Sequence, residues 1–490
     1  MGLASHNTAD DLIPETELAT VPVTRGRLTN VKVRRLLHSI LGGEEVDRLA
    51  RAGVDRRMVF GINPYYLALA TGAGFQVQSD TGLPVMPPSA PLLALVMPRA
   101  GETADLSGEQ DPSNQNRYSP NALKGRVIHK YDEIVLGHAA LACSGHCRYC
   151  YRLDLFNRTT GKSAVRPEEL RDYIIQHNRG IETELSSTFE VSRYPITEVV
   201  LSGGDPLVLT NRQLYRFLEA VADAGVGTIR IGTKEIVFRP ARFDANFIKM
   251  LHIFNNNYPD VHVKFMMHFT HPDEFLERDP HGNYLKCQGA TSTYKWLLMV
   301  KNAIIALRKL HFVSIENQTA LIRGVNDQSR ALHILHKELS HKGIKSQYTL
   351  QCREIEGHKY FAVPIETAWR IHNAAQKGLT SSERSRFALS TESGKLEVVS
   401  VIEDDSQWRP AETDQVRCAR SEQAATGLVV FKVLRSPGAG ETQGNLIVAR
   451  SNPAALWISD YEDRILLDGR GQSWQKKEES IRKSRPNGGV

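Results

Sequence analysis

Between residues 133 and 351 the sequence alternates between short runs rich in β-branched and apolar residues and longer stretches of helical periodicity. The short runs are EIVLGHA (133–139), ITEVVL (196–201), TIRIGT (228–233), HVKFMMHF (262–269), FVSIENQTAL (312–321) and KSQYTLQ (345–351). Between them lie PEELRDYIIQHN, with proline in its first turn, NRQLYRFLEAVADAG, DANFIKMLHIFNNN, TYKWLLMVKNAIIALRKLH and QSRALHILHKELSHKG. Two of these stop at glycine, which takes the left-handed conformation that ends a helix. Strands separated by helical crossovers of this length pair in parallel, with right-handed connections. The expected fold class is α/β, and six units rather than eight predict a partial (β/α)6 barrel. In such sheets the chemistry sits in the loops that follow the strands.

The rest of the 490-residue chain supplies extensions. We expect an N-terminal helical and irregular extension over 1–125, beginning with a loose arm and holding the Pro- and Ser-rich stretch 76–122. The barrel core follows over 126–360, then a segment over 361–430, then a C-terminal extension and charged tail over 431–490. No apolar run approaches the roughly 20 residues that span a bilayer; APLLALVM is far shorter. The N-terminus lacks the basic region and apolar core of a secretory signal. Six cysteines, three clustered and Cys287, Cys352 and Cys418 scattered, do not form a disulfide framework, so a reduced, cytoplasmic protein is expected. A net charge of +6 is too dilute to argue for nucleic acid.

The clustered cysteines, Cys143, Cys147 and Cys150, lie in CSGHCRYCYR directly after the first strand, at the C-terminal mouth of the sheet. C-x3-C-x2-C admits three readings. One is zinc with His146 as fourth ligand, one is unrelated structural cysteines, and one is a [4Fe–4S] cluster with three protein ligands and one open iron. After the next strand comes Ser202-Gly203-Gly204-Asp205, where glycines let the backbone approach a ligand closely. The cysteine spacing, with aromatic Tyr149 before the last cysteine, together with this turn, resembles the radical S-adenosylmethionine superfamily. That resemblance implies that the open iron chelates S-adenosylmethionine and that the SGGD turn holds its amino group.

The resemblance narrows along the chain. INPYYLALA (62–70), SP…HKY (119–131), CSGHCRYCYR, LSGGDPL, IRIGTKEIVFRPARF (229–243), HFTHPDE (268–274), NQTALIRGVND (317–327) and YTLQCREIEGHKYF (348–361) resemble, in order and approximate spacing, the lysine 2,3-aminomutase family. Membership would imply a [4Fe–4S] cluster, S-adenosylmethionine and pyridoxal 5′-phosphate, and migration of an amino group from Cα to Cβ. It also implies a low-potential reductant such as flavodoxin or ferredoxin, and leaves a homo-oligomer open. Nucleic acid and membrane are not expected partners. By motif position, Arg152 matches the arginine that grips the substrate carboxylate. His268 and Gln318 match positions facing S-adenosylmethionine. Lys395, in LSTESGKLEVV, is the counterpart of the pyridoxal lysine.

Three departures bear on the substrate. The family's phosphate-holding arginine nine residues before the first cysteine is Ile134 here, with Lys130 or Arg239 as substitutes. The aspartates that bind a lysine side chain are replaced by Arg353 and Ala388. An arginine there disfavours a cationic substrate and suits a side-chain carboxylate, as in glutamate or aspartate; Glu354 or Glu356 turned inward would restore a cationic one. The cysteine group that binds a structural zinc in the lysine enzymes is missing from GVNDQSR. Alternatives are the same cofactors with elimination, dehydrogenation or epimerisation, and a true lysine enzyme. A zinc-stabilised nucleic-acid-binding protein using Cys143, Cys147, Cys150, His146 and the basic tail is the alternative of a different class.

Overall fold

A computed structural model describes residues 13–15, 23–72, 83–111, 114–153, 163–185, 194–287, 293–403, 427–438 and 440–470. Most of the N-terminal arm, Cys418 and the basic tail lie outside the described residues.

The N-terminal layer begins with β1 (Thr24–Gly26), paired antiparallel with β2 (Phe60–Ile62). Between and after them run α1 (Val31–Leu41), α2 (Gly43–Ala52), α3 (Pro64–Thr71) and α4 (Ala90–Val96). Asn30 starts α1 by accepting the Lys32 and Val33 amides, and Asn63 starts α3 by accepting the Tyr66 amide. Such caps are worth about 1 kcal/mol each. Helix α3 is apolar almost all round because it is buried almost all round, through Tyr65, Tyr66, Ala68, Leu69 and Ala70.

All six expected strands form, as β4 (Ile134–Ala140), β5 (Glu198–Gly203), β6 (Thr228–Thr233), β7 (His262–Met267), β8 (Val313–Ala320) and β9 (Lys345–Leu350). They pair in parallel and in sequence order. The crossovers are α5 (Pro167–Leu185), α6 (Asn211–Asp223), α7 (Ala245–Asn257), α8 (Leu298–Arg308) and α9 (Ser329–His341). Helices α6 and α9 end beside Gly225 and Gly343, at φ +80° and +71°, the glycine stops read from the sequence.

The sheet exceeds the six-stranded partial barrel. Hairpin strand β3 (Val127–Tyr131) adds antiparallel to β4, and helix α10 (Ile365–Gln376) carries the chain to a seventh parallel strand, β10 (Arg386–Thr391). Strands β11 (Gly394–Ile402), β12 (Leu428–Arg435), β13 (Leu446–Arg450) and β14 (Ile465–Asp468) continue it antiparallel, giving twelve strands with β3 and β14 at the edges. Among the described residues no ladder joins those edges. The sheet curls far enough for a single bridge, Tyr131 to Gly438, to tie the end of β12 to β3.

The two faces of the parallel strands differ. Val199, Leu201, Ile229, Ile231, Val263, Phe265 and Ile315 are buried, each contributing about 1.5–3 kcal/mol by leaving water. The alternating residues Glu198, Arg230, Lys264, Glu316 and Gln318 are half-buried. They pair across strands, Arg230 with Glu198 at 2.8 Å and Lys264 with Glu316 at 3.7 Å. One face is core; the other is polar and reachable.

Candidate active site at the strand C-termini

The cysteine loop leaves β4 and is held by its carbonyls. Arg25 donates to the Cys143 carbonyl at 2.5 Å, Asn63 Nδ2 to that of Ser144 at 3.1 Å, and Arg57 to that of Arg148 at 3.1 Å. His358, from the far end of the sheet, donates Nε2 to the Cys150 carbonyl at 3.3 Å. Beneath the loop, Glu102 takes Arg57 at 2.9 Å and Arg148 at 2.6 Å, an ion triad sealed from solvent. The N-terminal layer thus shapes the loop through its backbone, leaving the thiols aside.

Burial pushes the Cys143 thiol up, reinforced by Asp205, Cys150 and Cys147; burial likewise raises Cys147 to about 12. Thiols so desolvated and so close in charge become thiolates only when cations arrive among them, which is the chemistry of a metal-cluster donor set. A single zinc would draw its sulfur ligands to within about 2.3 Å of one point. Among the described residues no group of three His, Cys, Asp or Glu side chains gathers that tightly. His146 instead gives Nδ1 to the Val59 carbonyl at 2.9 Å, with burial lowering it to about 3.

The SGGD turn lies against this loop. Gly203 sits at φ +109°, and a Cβ there would stand 2.1 Å from the Ala140 carbonyl; one on Gly204 would stand 2.3 Å from that of Ala142. Only glycine permits this approach. Asp205 is spent locally, accepting from the Leu207 and Lys234 amides and from the Thr233 hydroxyl. Burial beside Glu235 raises its carboxyl.

Tyr149, His268 and Gln318 are brought together. The Tyr149 hydroxyl meets His268 Nε2 at 2.7 Å, and His268 Nδ1 donates to the Gln318 carbonyl at 2.7 Å. Burial lowers His268 to about 4, so the ring is neutral and its Nε2 accepts. Gln318 Nε2 donates to Gln347 at 2.5 Å.

Arg152 and Arg353 line one cavity with His138, Tyr151, Asp111 and Ile355. Arg152 is buried and fixed by Ser202 Oγ at 3.2 Å, the Tyr151 hydroxyl at 2.9 Å and His138 Nε2. This uses three of a guanidinium's five donors. Its backbone amide points at Cys150 Sγ, 3.4 Å away. Glu354 turns to the Ser459 hydroxyl at 2.7 Å, and neither it nor Glu356 lines the cavity. Ala388, the second substituted position, is buried within β10.

Lys395 is the second residue of β11, just past the Thr391–Gly394 turn, its Nζ 3.9 Å from the centre of the Tyr348 ring. Burial first, then Arg230, Arg353 and Arg435, lower it to about 7. Lys130, also lowered to about 7 by burial, donates to the Thr391 carbonyl of the same hairpin at 2.7 Å. Arg239, the other candidate for the missing phosphate contact, is instead paired with Glu235 at 3.0 Å and bonded to the Leu207 carbonyl. His138, Tyr151, Tyr348 and Arg230 were not singled out from the sequence. The available signal was polar residues alternating within apolar strands, as in GHA, TIRIG and SQYTL.

A curled sheet with a parallel core, carrying three cysteines, two guanidiniums and a lysine of lowered pKa near the C-terminal rim of that core, defines an α/β protein with its candidate site there. No family model matches the chain. Over 425 residues it is 26% identical to a protein of Aquifex aeolicus (strain VF5) provisionally named L-lysine 2,3-aminomutase, covering 86% of this chain and 92% of the relative. It is 28% identical over 334 residues to the L-lysine 2,3-aminomutase of Clostridium subterminale, covering 67% and 65%. It is 23% identical over 330 residues to the glutamate 2,3-aminomutase of Clostridioides difficile (strain 630), covering 67% and 64%. Over most of its length the chain is thus similar to lysine and glutamate 2,3-aminomutases. No helix among the described residues is long and apolar enough to cross a membrane.

Proposed function

We propose that this protein is a radical S-adenosylmethionine and pyridoxal-phosphate-dependent 2,3-aminomutase acting on an acidic amino acid, glutamate or aspartate. The observation that carries the reading is the shared cavity: Arg152 and Arg353 line it together, with Arg152 in contact with Cys150 and with Ser202 of the SGGD turn. One guanidinium answers the α-carboxylate and the other a side-chain carboxylate, since each offers paired donors to a carboxylate. A lysine side chain would bring a third positive charge between them. That one relative is named a glutamate 2,3-aminomutase supports the same substrate class.

Cys143, Cys147 and Cys150 would hold the cluster, and Lys395 the pyridoxal phosphate. When bound, these groups with S-adenosylmethionine supply a carbon-centred radical and a ring system over which an unpaired electron spreads. The chain's own work is placement. Arg152, pinned on three sides, orients the substrate carboxylate beside the cysteine loop. Lys395 stands partly neutral at pH 7, as an amine meant to bond carbon must. Neutral His268, held by Gln318 and Tyr149, keeps charge out of the strand ends facing the cysteines.

Anaerobically purified protein is expected to be brown and to carry iron and sulfide. With S-adenosylmethionine, reductant and an amino-acid panel it should release 5′-deoxyadenosine and convert glutamate to 3-aminoglutarate; migration in aspartate regenerates aspartate, so its turnover is read from a carbon label that exchanges between the C2 and C3 positions. A Cys147→Ala protein that keeps its full iron and still cleaves S-adenosylmethionine would overturn the cluster assignment. Turnover of lysine with both acidic amino acids inert would overturn the substrate class.

A further inference from the structure

The two guanidiniums of the cavity share one aromatic ring. Arg353 Cζ lies 4.2 Å from the centre of the Tyr151 ring and Arg152 Cζ lies 4.8 Å from it. The Tyr151 hydroxyl accepts Arg152 Nε–H as well, at 2.9 Å. Two cations this near one another repel, and the negative face of an aromatic ring is a neutral group that stabilises both. The ring is stiff, and Arg152 is referenced to β4 through His138 and to β5 through Ser202. Arg353, arriving from the loop after β9, packs on the same ring, so the ring couples its position to that of Arg152. Tyr151 is 39% exposed, so part of its surface stays open to an incoming ligand.

We propose that Tyr151 is the spacer that fixes the separation of the Arg152 and Arg353 guanidiniums, and so selects dicarboxylic amino acids by the number of carbons between their carboxylates. The inference rests on the acidic-substrate reading and adds to it the residue that sets chain length. Tyr151 acts through the two arginines and is a positioning residue. Replacing it with leucine removes the surface shared by the two charges and the hydroxyl that orients Arg152, so diacids of different length would fit alike. Phenylalanine keeps the surface and loses only the hydroxyl.

The test uses malonate, succinate, glutarate and adipate, titrated calorimetrically into the anaerobically reconstituted protein. These diacids carry no amine, so binding reports carboxylate spacing apart from turnover. Wild type should prefer one length over its neighbours by about tenfold. Tyr151→Phe should keep that length and bind about threefold more weakly, as expected for one lost hydrogen bond. Tyr151→Leu, its fold checked by circular dichroism, should lose the preference. A leucine variant that retains the wild-type length preference, or a wild type that binds all four lengths alike, overturns the spacer role and leaves the acidic-substrate reading in place. A wild type that binds none of the diacids but binds L-lysine overturns both.

Discussion

The ammonium of Lys395 rests on the face of the Tyr348 ring, 3.9 Å from its centre, and no carboxylate among the described residues is ion-paired with it. A ring face offsets only part of what an ammonium loses on leaving water. With Arg230, Arg353 and Arg435 also acting on it, the amine sits near neutrality at about pH 7. That is the state in which a lysine attacks an aldehyde.

Reaction of the protein with pyridoxal phosphate should therefore give a yellow absorbance whose rate of appearance has its midpoint close to pH 7. Lys395→Ala should abolish the band. Arg230→Gln removes one of the charges acting on the amine and should move the midpoint upward. A wild-type midpoint near that of an ordinary lysine, about 10.4, would remove Lys395 from this role.

Glu102 is the one carboxylate of the triad with Arg57 and Arg148, and all three side chains are at most 2% exposed. Glu102→Gln leaves two buried guanidiniums facing a neutral partner. Breaking a buried pair in this way costs about 3–5 kcal/mol. Urea unfolding should register that loss, and iron incorporation should fall with it because Arg57 also holds the Arg148 carbonyl.

Gly394 stands at φ +117°, and a Cβ there would lie 1.9 Å from the Arg435 carbonyl. Gly394→Ala should cost about 1–3 kcal/mol in backbone strain and force β11 away from β12. The expected signature is a lost or shifted pyridoxal band in a protein whose far-ultraviolet circular dichroism is unchanged.

His146, His268, His336, His358 and His372 are held neutral by burial, at about 3 or 4. In the unfolded chain each takes up a proton near pH 6.5. As the pH falls below 6.5 the unfolded state gains protons that the folded state refuses, so stability drops until about pH 3. The thermal midpoint should fall steadily from pH 7 to pH 5. His336→Gln should flatten that slope whatever it does to stability at pH 7.

The parts of this protein that could be read in sequence are those built from contiguous residues. The six strand–helix units carry their own periodicity and glycine stops, and the cysteine loop and SGGD turn each lie within ten residues. The seventh strand, Arg386–Thr391, was not legible because RFALST is short and runs straight into the turn before Lys395. Nor were the neighbours of Lys395. Tyr348, Arg230 and Arg435 come from β9, β6 and β12, and only the curl of the sheet brings them near one amine. Tyr151 was adjacent to a chosen residue, yet its importance depends on Arg353, which lies some two hundred positions away.

The backbone of the cysteine loop is gripped by Arg25, Asn63 and Arg57 from one side of the chain and by His358 from the other. Such a grip imposes an order on biogenesis. A ribosome must release nearly three quarters of the polypeptide before the last of these contacts can form. Until then the loop is held from its N-terminal side alone, and the Cys150 carbonyl waits for its partner.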